Sequence, residues 1–339
     1  MNNKPCVSVV MSVYNGEKYL RESIESILNQ TFRNFEFIII DDGSKDNSLK
    51  IVNEYKSKDE RLILIQNEKN IGLPTSLNKG IKIAKGKYIA RQDADDISVN
   101  YRLEIQHNHM EKYPNIDILG SDNYSIDVED YIFSETTVDM FNVKKMLLSE
   151  NYLFAHGSVI IRRDVFDDVG LYNQSFYYNQ DLEYWMRCYL KGKRIERMSD
   201  LLYKFRVSRY SGEMQEKNLL RDRLNNILIS AFREGLISGE FDIDEEKSQH
   251  VLKDFVNNNH DRNKPDKCKD DRSGYWFHIA RQALRSGKQK KYVRKCLYKS
   301  LLTKDISYRC VMKIAFLVLT YFNFDYKGID TSWFRKFWS

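Results

Sequence analysis

The stretch Lys87-Tyr-Ile-Ala-Arg-Gln-Asp-Ala-Asp-Asp96 decides how this chain folds. Its opening residues read as a strand, and its end puts three carboxylates, Asp93, Asp95 and Asp96, where an open α/β sheet presents its ligand. Carboxylates crowded this closely repel one another unless a cation lies among them, and hard oxygen donors suit Mg²⁺ or Mn²⁺ better than zinc. A cation held there would grip phosphates in turn. Taken alone, the run fits an acidic helix start equally well, because Asp is favoured at an N-cap and in the first turn.

Upstream, strand and helix signals alternate. Residues 7–13 form an apolar, β-branched run, followed by a helix with Leu20, Ile24, Ile27 and Leu28 on one face. Strands are predicted over 35–40 and 62–66 and helices over 47–55 and 73–85, before the strand that ends at Gln92. Continuous apolar strands separated by amphipathic helices imply an α/β fold with a mostly parallel central sheet covered on both faces. Downstream the pattern predicts a helix over 101–113, a short strand near 116–120 and irregular segments to residue 150. A buried strand over 157–161, a helix over 181–190 and a closing strand over 195–205 follow. Beyond 213 the chain reads as helical, with a polar break over 257–272, so the expected boundary divides residues 1–212 from a helical region, 213–339.

Length and composition restrict the class. The 339 residues, 42% apolar and 13% aromatic, suffice for a sizeable core, and four prolines with fifteen glycines leave no low-complexity linker. Five scattered cysteines, Cys6, Cys188, Cys268, Cys296 and Cys310, lack both disulfide-framework and metal-site spacing, which favours a reducing, cytoplasmic setting. Residues 1–5 lack the layout of a signal peptide. The net charge of +6 is uneven: residues 285–339 hold 13 Lys or Arg against 3 Asp or Glu. This basic segment is interleaved with aromatics and an apolar run, 314–322, too short to span a bilayer. The expectation is in-plane docking on an anionic membrane surface, with a solvated helix face as the plainer account and nucleic-acid binding as the disfavoured one.

Acidic groups recur just past predicted strands: Asp41 and Asp42 after Ile40, the Asp93–Asp96 group after Gln92, and Asp181 with Glu183 at a helix start. In a parallel sheet the first two converge on one edge, a geometry suited to a nucleoside diphosphate. Four segments in order resemble the family 2 glycosyltransferases of the GT-A (Rossmann-like) fold: Val7-Ser-Val-Val-Met-Ser-Val-Tyr-Asn-Gly16, Ile40-Asp-Asp-Gly-Ser44, the stretch ending at Asp96, and His156-Gly-Ser-Val-Ile-Ile161 with Asn179-Gln-Asp-Leu-Glu-Tyr-Trp185.

The resemblance implies an inverting enzyme that moves a sugar from a nucleotide-sugar donor, most often a UDP-sugar, to a saccharide acceptor in cell-surface polysaccharide synthesis. It implies that Asp41 or Asp42, with Val13, Tyr14 and Asp93, binds the nucleotide, that Asp95 helped by Asp93 holds Mn²⁺ or Mg²⁺, and that Asp181 is the catalytic base. Arg91, His156 and Arg206 are candidate phosphate or acceptor contacts. Asp-Gly after a strand is also a common turn, and Asp181 could be a helix cap. Two departures stand out: Gln180 where the family usually has Glu, which removes a like charge beside the base, and Ser208 where His is frequent. A lipid-linked acceptor at the cytoplasmic membrane face fits the basic segment.

Two other classes compete. A sugar-nucleotide pyrophosphorylase needs a Gly-rich basic loop after the first strand, which Ser12-Val-Tyr-Asn-Gly16 lacks. A catalytically inactive nucleotide-sugar-binding subunit of a glycan assembly complex would keep Asp41 and Asp95 and lose the base, and Asp181 argues against it.

Overall fold

The computed structural model describes residues 4–137, 141–149, 153–176, 178–207, 212–243, 272–286 and 290–301. These divide between two compact units, one within Met1–Ser208 and Gln215–Pro265, the other within Arg209–Met214 and Asp266–Ser339.

The first unit opens with four strands, β1 (Val7–Val13), β2 (Phe35–Asp41), β3 (Leu62–Gln66) and β4 (Tyr88–Asp93). Helices α1 (Leu20–Leu28), α2 (Ser48–Lys56) and α3 (Leu73–Ile83) separate them. Short β5 (Ile97–Ser98), α4 (Arg102–Lys112), β6 (Ile118–Ile126), β7 (Ile132–Thr136) and α5 (Val143–Leu148) follow. A 3₁₀ turn, His156–Ser158, then leads to β8 (Ile160–Arg162), α6 (Asp164–Val169), α7 (Gln180–Leu190), β9 (Ile195–Arg206) and α8 (Gly212–Ser238). Among the described residues the strands form one sheet in the order β3-β2-β1-β4-β8-β6-β9-β5, with β7 paired to β6.

The β3-β2-β1-β4 half is wholly parallel, as continuous apolar strands require when both faces are covered. Alternate residues feed opposite layers. Val10, Ile38, Ile40 and Ile89 pack with Leu77 and Ile81 of α3, whereas Val9, Met11, Phe37 and Ile39 pack with Leu20 and Ile24 of α1. The other half is mixed: β8 is antiparallel to β4 and β6, and β9 is parallel to β6. β6 extends to Ile126, well past the short strand expected near 116–120, and buries most of its polar side chains. Asp122, for example, receives the buried Arg197 Nε at 2.5 Å. β7 falls in the stretch expected to be irregular.

The first unit continues past residue 212. Leu224, Leu228, Ile229 and Phe232 of α8 bury in the same core as α3 and α7, and Phe232 meets the Tyr189 ring of α7 at 5.7 Å. In the second unit α9 (Arg272–Arg285) and α10 (Lys290–Leu301) bury Tyr275, Ile279, Ala280 and Ala283 together with Val293, Cys296 and Leu297. Lys291, Lys295 and Tyr298 of α10 lie exposed. No helix among the described residues is long and apolar enough to cross a membrane. The apolar run 314–322, most of the basic segment, Ser208 and Arg209 lie outside the described residues.

Candidate active site

Strand order reverses at β1, which has β2 on one side and β4 on the other, and a ligand crevice forms at such a switch point. Register sets its rim. Val13 pairs with Asp41, and Ser12 with Asp93, so the acids that close β2 and β4 flank β1 within one residue of each other along the strand.

The two acids after Ile40 are not equivalent. Asp42 is fully committed inside the protein: Oδ1 accepts from Asn67 Nδ2 at 2.9 Å and the Ile71 amide at 3.0 Å, and Oδ2 from the Gly72 amide at 3.0 Å. It holds the turn that leads into α3. Asp41 has Oδ2 at 3.3 Å from the Ser44 amide, but its Oδ1 is buried with no hydrogen-bond partner. A buried bare carboxylate oxygen is costly, and a ligand donor aimed into the crevice would relieve it. Gly43 turns the chain just after them at φ 73°, and a Cβ there would lie 2.6 Å from the Lys69 carbonyl carbon.

The loop after β1 is laced to the loop after β2. Asn15 Oδ1 accepts from the Lys45 amide at 2.7 Å, Gly16 N–H donates to Ser48 Oγ at 2.9 Å, and Glu17 N–H donates to Asp46 Oδ2 at 3.0 Å. Val13 is buried beneath this lacing, and Tyr14 is 48% exposed at its edge.

Asp93 extends from β4 with Oδ1 on Arg91 Nη2 at 2.7 Å, while its backbone carbonyl accepts from Ser23 Oγ of α1 at 2.7 Å. Arg91 is 1% exposed and also donates to the Val10 and Gln92 carbonyls, so it supports Asp93 from within the sheet. Arg206 is likewise spent inside the protein. Its guanidinium reaches the Asp95 carbonyl at 2.7 Å, Glu22 Oε2 at 2.9 Å, the Asp127 carbonyl at 3.2 Å and Asp130 Oδ1. Its backbone amide donates to Asp96 Oδ1 at 2.7 Å. Arg91 and Arg206, candidate phosphate contacts in the sequence, each fasten part of the acidic run in place, Arg91 by pairing with Asp93.

Asp96 is buried, and desolvation, then the charges of Asp95 and Asp93, push its carboxyl well above the ordinary range. Beneath it Arg102 is fully buried and donates to Gln106, Gln92, Ser98 and the Arg91 and Val159 carbonyls, which ties β4, β5 and the entry of β8 together. Burial lowers its pKa to about 10.

The opposite wall comes from α7 and the 3₁₀ turn. Asp181, in the first turn of α7, accepts from the Leu182 amide through Oδ1 at 2.9 Å. Desolvation raises its pKa, and the charge of Asp93 adds to the rise. Gln180 supplies no like charge beside it, so burial is the main cause of the rise. His156 Nε2 lies 2.9 Å from the Tyr172 hydroxyl, and burial followed by the Arg91 charge drives its pKa well below the ordinary value, keeping the imidazole neutral. Tyr172 is bracketed by Asn78, which donates to its carbonyl at 2.8 Å and accepts from its amide at 3.1 Å. A Cβ on Gly157 would lie 1.9 Å from the Tyr203 hydroxyl and 2.8 Å from Asp93 Oδ2, so only glycine fits there.

Among the described residues no three His, Cys, Asp or Glu side chains close on one point as a metal cage. The donor set still suits Mg²⁺ or Mn²⁺, which bind through one or two carboxylates and fill the remaining positions with phosphate oxygens and water. Asp93 and Asp95 could supply those carboxylates. Arg102 and Tyr172 lie beside the site and escape sequence reasoning, since each looks like an ordinary helix or turn residue.

Comparison with known proteins places this geometry. The profile of glycosyl transferase family 2 matches residues 8–170. The uncharacterized glycosyltransferase MJ1057 of Methanocaldococcus jannaschii is 40% identical over 209 residues, 60% of this chain and 72% of that protein. Staphylococcus aureus TarS 1–349, solved in complex with UDP, superposes with a TM-score of 0.50 at 20% identity, covering 96% of this chain and 93% of its own. The mannosyltransferase PcManGT from Pyrobaculum calidifontis, solved with GDP-Man and Mn²⁺, gives a TM-score of 0.53 at 10% identity, covering 94% and 81%. At such identities the two structures speak for the fold, which is that of the GT-A glycosyltransferases.

Proposed function

The chain belongs to glycosyl transferase family 2, and from that membership and the acidic cleft we propose that it transfers a sugar, with inversion, from a UDP-sugar to a saccharide acceptor in cell-surface polysaccharide synthesis. The observation that carries this reading is the placement of Asp41 and Asp93 at the carboxyl ends of β2 and β4, on either side of β1 at the switch point of the sheet.

In this reading Asp41 Oδ1 accepts the imide N–H of uracil, and Asp42 sets the turn that shapes the pocket. Val13 forms its floor, and the Tyr14 ring lies over the nucleoside. Bound through Asp93 and Asp95, Mn²⁺ or Mg²⁺ supplies charge neutralisation for the departing diphosphate. Asp181 takes the proton of the acceptor hydroxyl as that oxygen attacks the anomeric carbon from the face opposite the leaving group. Base assistance of this kind is worth ~10²- to 10⁴-fold. A raised pKa suits the task, because a more basic carboxylate accepts the proton more readily. The neutral His156, fixed by Tyr172, lines the acceptor side. The UDP complex of TarS and the Mn²⁺ complex of PcManGT are in keeping with the donor and the ion.

The acceptor in this reading is lipid-linked, at the cytoplasmic face of an anionic membrane. The exposed Lys291 and Lys295 of α10 are in keeping with that surface. The test is a melting-temperature screen of UDP, UDP-glucose and UDP-N-acetylglucosamine with and without Mn²⁺, followed by assay of UDP release. A true donor raises the melting point by mass action and is turned over. Binding without any turnover would favour the inactive binding subunit instead.

A further inference from the structure

The 3₁₀ turn that opens on His156 abuts the acidic rim. A Cβ on the next residue, Gly157, would lie 2.8 Å from Asp93 Oδ2, and the Val159 carbonyl just beyond accepts the Arg91 amide at 2.9 Å. Under the donor reading Asp93 helps to hold the diphosphate, so the sugar joined to that diphosphate comes within a side chain's length of this turn.

One nitrogen of His156 is already taken. Nε2 lies 2.9 Å from the hydroxyl of the buried Tyr172, and among the described residues it is the sole acceptor in reach of that O–H. A buried hydroxyl hydrogen without an acceptor is costly, so Tyr172 donates and Nε2 keeps its lone pair. A neutral imidazole carries one N–H, which then sits on Nδ1. Desolvation and the Arg91 charge both oppose a second proton. Among the described residues nothing takes a hydrogen bond from Nδ1, and the half-buried ring is not sealed from solvent at that atom. The turn beside Asp93 thus carries an N–H donor with no protein acceptor.

Tyr172 is itself held firmly. Asn78, 2% exposed in α3, brackets its backbone with hydrogen bonds of 2.8 and 3.1 Å, and the Tyr184 ring packs 4.7 Å away. The Trp185 ring meets the imidazole edge-on at 6.1 Å and limits its rotation.

We propose that His156 donates from Nδ1–H to an oxygen of the transferred sugar, and that Tyr172 is the positioning residue that reserves the proton for that nitrogen. The proposal rests on the chain using a UDP-sugar donor. From the acceptor side of the crevice this N–H meets the sugar and not the nucleotide, and the tautomer of the ring, not its charge, makes the contact.

The test uses the full chain with UDP, UDP-glucose and UDP-N-acetylglucosamine in Mn²⁺, and compares His156→Gln, His156→Asn and Tyr172→Phe by calorimetry. Gln carries its amide to the Nε2 position and offers no donor at Nδ1. H156Q is therefore expected to weaken binding of the preferred UDP-sugar about 5- to 15-fold while the Kd for UDP stays within about twofold. H156N puts an amide N–H where Nδ1–H stood and is expected to recover most of that affinity. Y172F frees Nε2 to take the proton and is expected to show a smaller loss of the same pattern. Nitrogen-15 NMR of the imidazole, which needs no ligand, is expected to find the proton on Nδ1 in the wild type and to move toward Nε2 in Y172F. A wild-type proton on Nε2, an unchanged tautomer in Y172F, H156N no better than H156Q, or parallel loss of UDP and UDP-sugar binding would each overturn the proposal. H156Q that binds the UDP-sugar as the wild type does defeats the contact alone; a wild type that binds neither UDP-sugar defeats the donor reading, and the contact with it.

Discussion

Arg91, almost wholly buried in β4, donates to Asp93 Oδ1 at 2.7 Å and so fixes from below the acid that faces the crevice from above. Asp93 keeps 29% of its side chain exposed, so its charge is eased by solvent, but Arg91 also satisfies the Val10 and Gln92 carbonyls. Arg91→Met leaves those acceptors without their donor and is expected to destabilise the protein by about 1 to 3 kcal/mol in urea denaturation. It should also weaken Mn²⁺-dependent UDP binding, measured by calorimetry. Wild-type stability would show the pair to be incidental.

Asp41 and Asp42 separate ligand binding from architecture. Asp42→Asn turns an amide donor toward protein N–H groups and is expected to cost about 1.5 to 3 kcal/mol of stability. Asp41→Asn removes only a weak backbone contact, so it should fold normally and lose tenfold or more in UDP affinity. Equal effects on melting temperature from the two substitutions would contradict the assignment.

Asp181 links activity to pH and stability. Its folded-state pKa is raised by burial, so the native protein binds this proton more tightly than the unfolded chain. That costs stability above the raised pKa, progressively less between it and the ordinary value of 3.8, and nothing below both. Asp181→Asn is therefore expected to raise the melting temperature at pH 7, with no gain at pH 3, while lowering kcat ~10²- to 10⁴-fold. Measured melting curves at the two pH values decide this, and a drop in stability at pH 7 would contradict it.

Gly157→Ala forces a methyl group against the Tyr203 hydroxyl and Asp93 Oδ2. Overpacking of this kind costs about 1 to 3 kcal/mol, and here it pushes directly on an acid of the crevice. Weaker UDP binding should accompany the lower melting temperature; a loss of stability alone would place Asp93 outside the binding site.

Charge on α10 is tested with vesicles. Reversing Lys291 and Lys295 to Glu should abolish salt-sensitive binding to phosphatidylserine vesicles, since each basic residue near such a surface contributes about 1 kcal/mol. Binding that persists in the reversed variant, or retention on DNA in place of vesicles, would refute docking on lipid.

The first two strands are legible from the amino acids because each is buried on both faces and is mostly apolar along its length. β6 and β7 are not, since polar residues such as Asp122 interrupt the pattern and their partner, Arg197, is supplied by a distant strand. The same distinction runs through the site. Asp93 and Asp181 announce themselves by position after a strand and at a helix start. Whether Asp41 or Asp42 faces the ligand is invisible until the amides of Ile71 and Gly72 are seen to claim one of them. The family resemblance offers Arg206 as a phosphate contact, but Glu22 and Asp130 come from other parts of the chain to engage it. Residues that act through long-range partners leave no local trace.

The pairing of Asp41 and Asp93 with neighbouring residues of one central strand gives the sheet the character of a gauge. Two strand spacings, roughly 10 Å in all, separate the backbone that carries one acid from the backbone that carries the other. Neither can creep along its strand without breaking a ladder of amide bonds. A molecule gripped at both marks must match that span, so length is checked by the scaffold itself before any loop around the sugar is consulted.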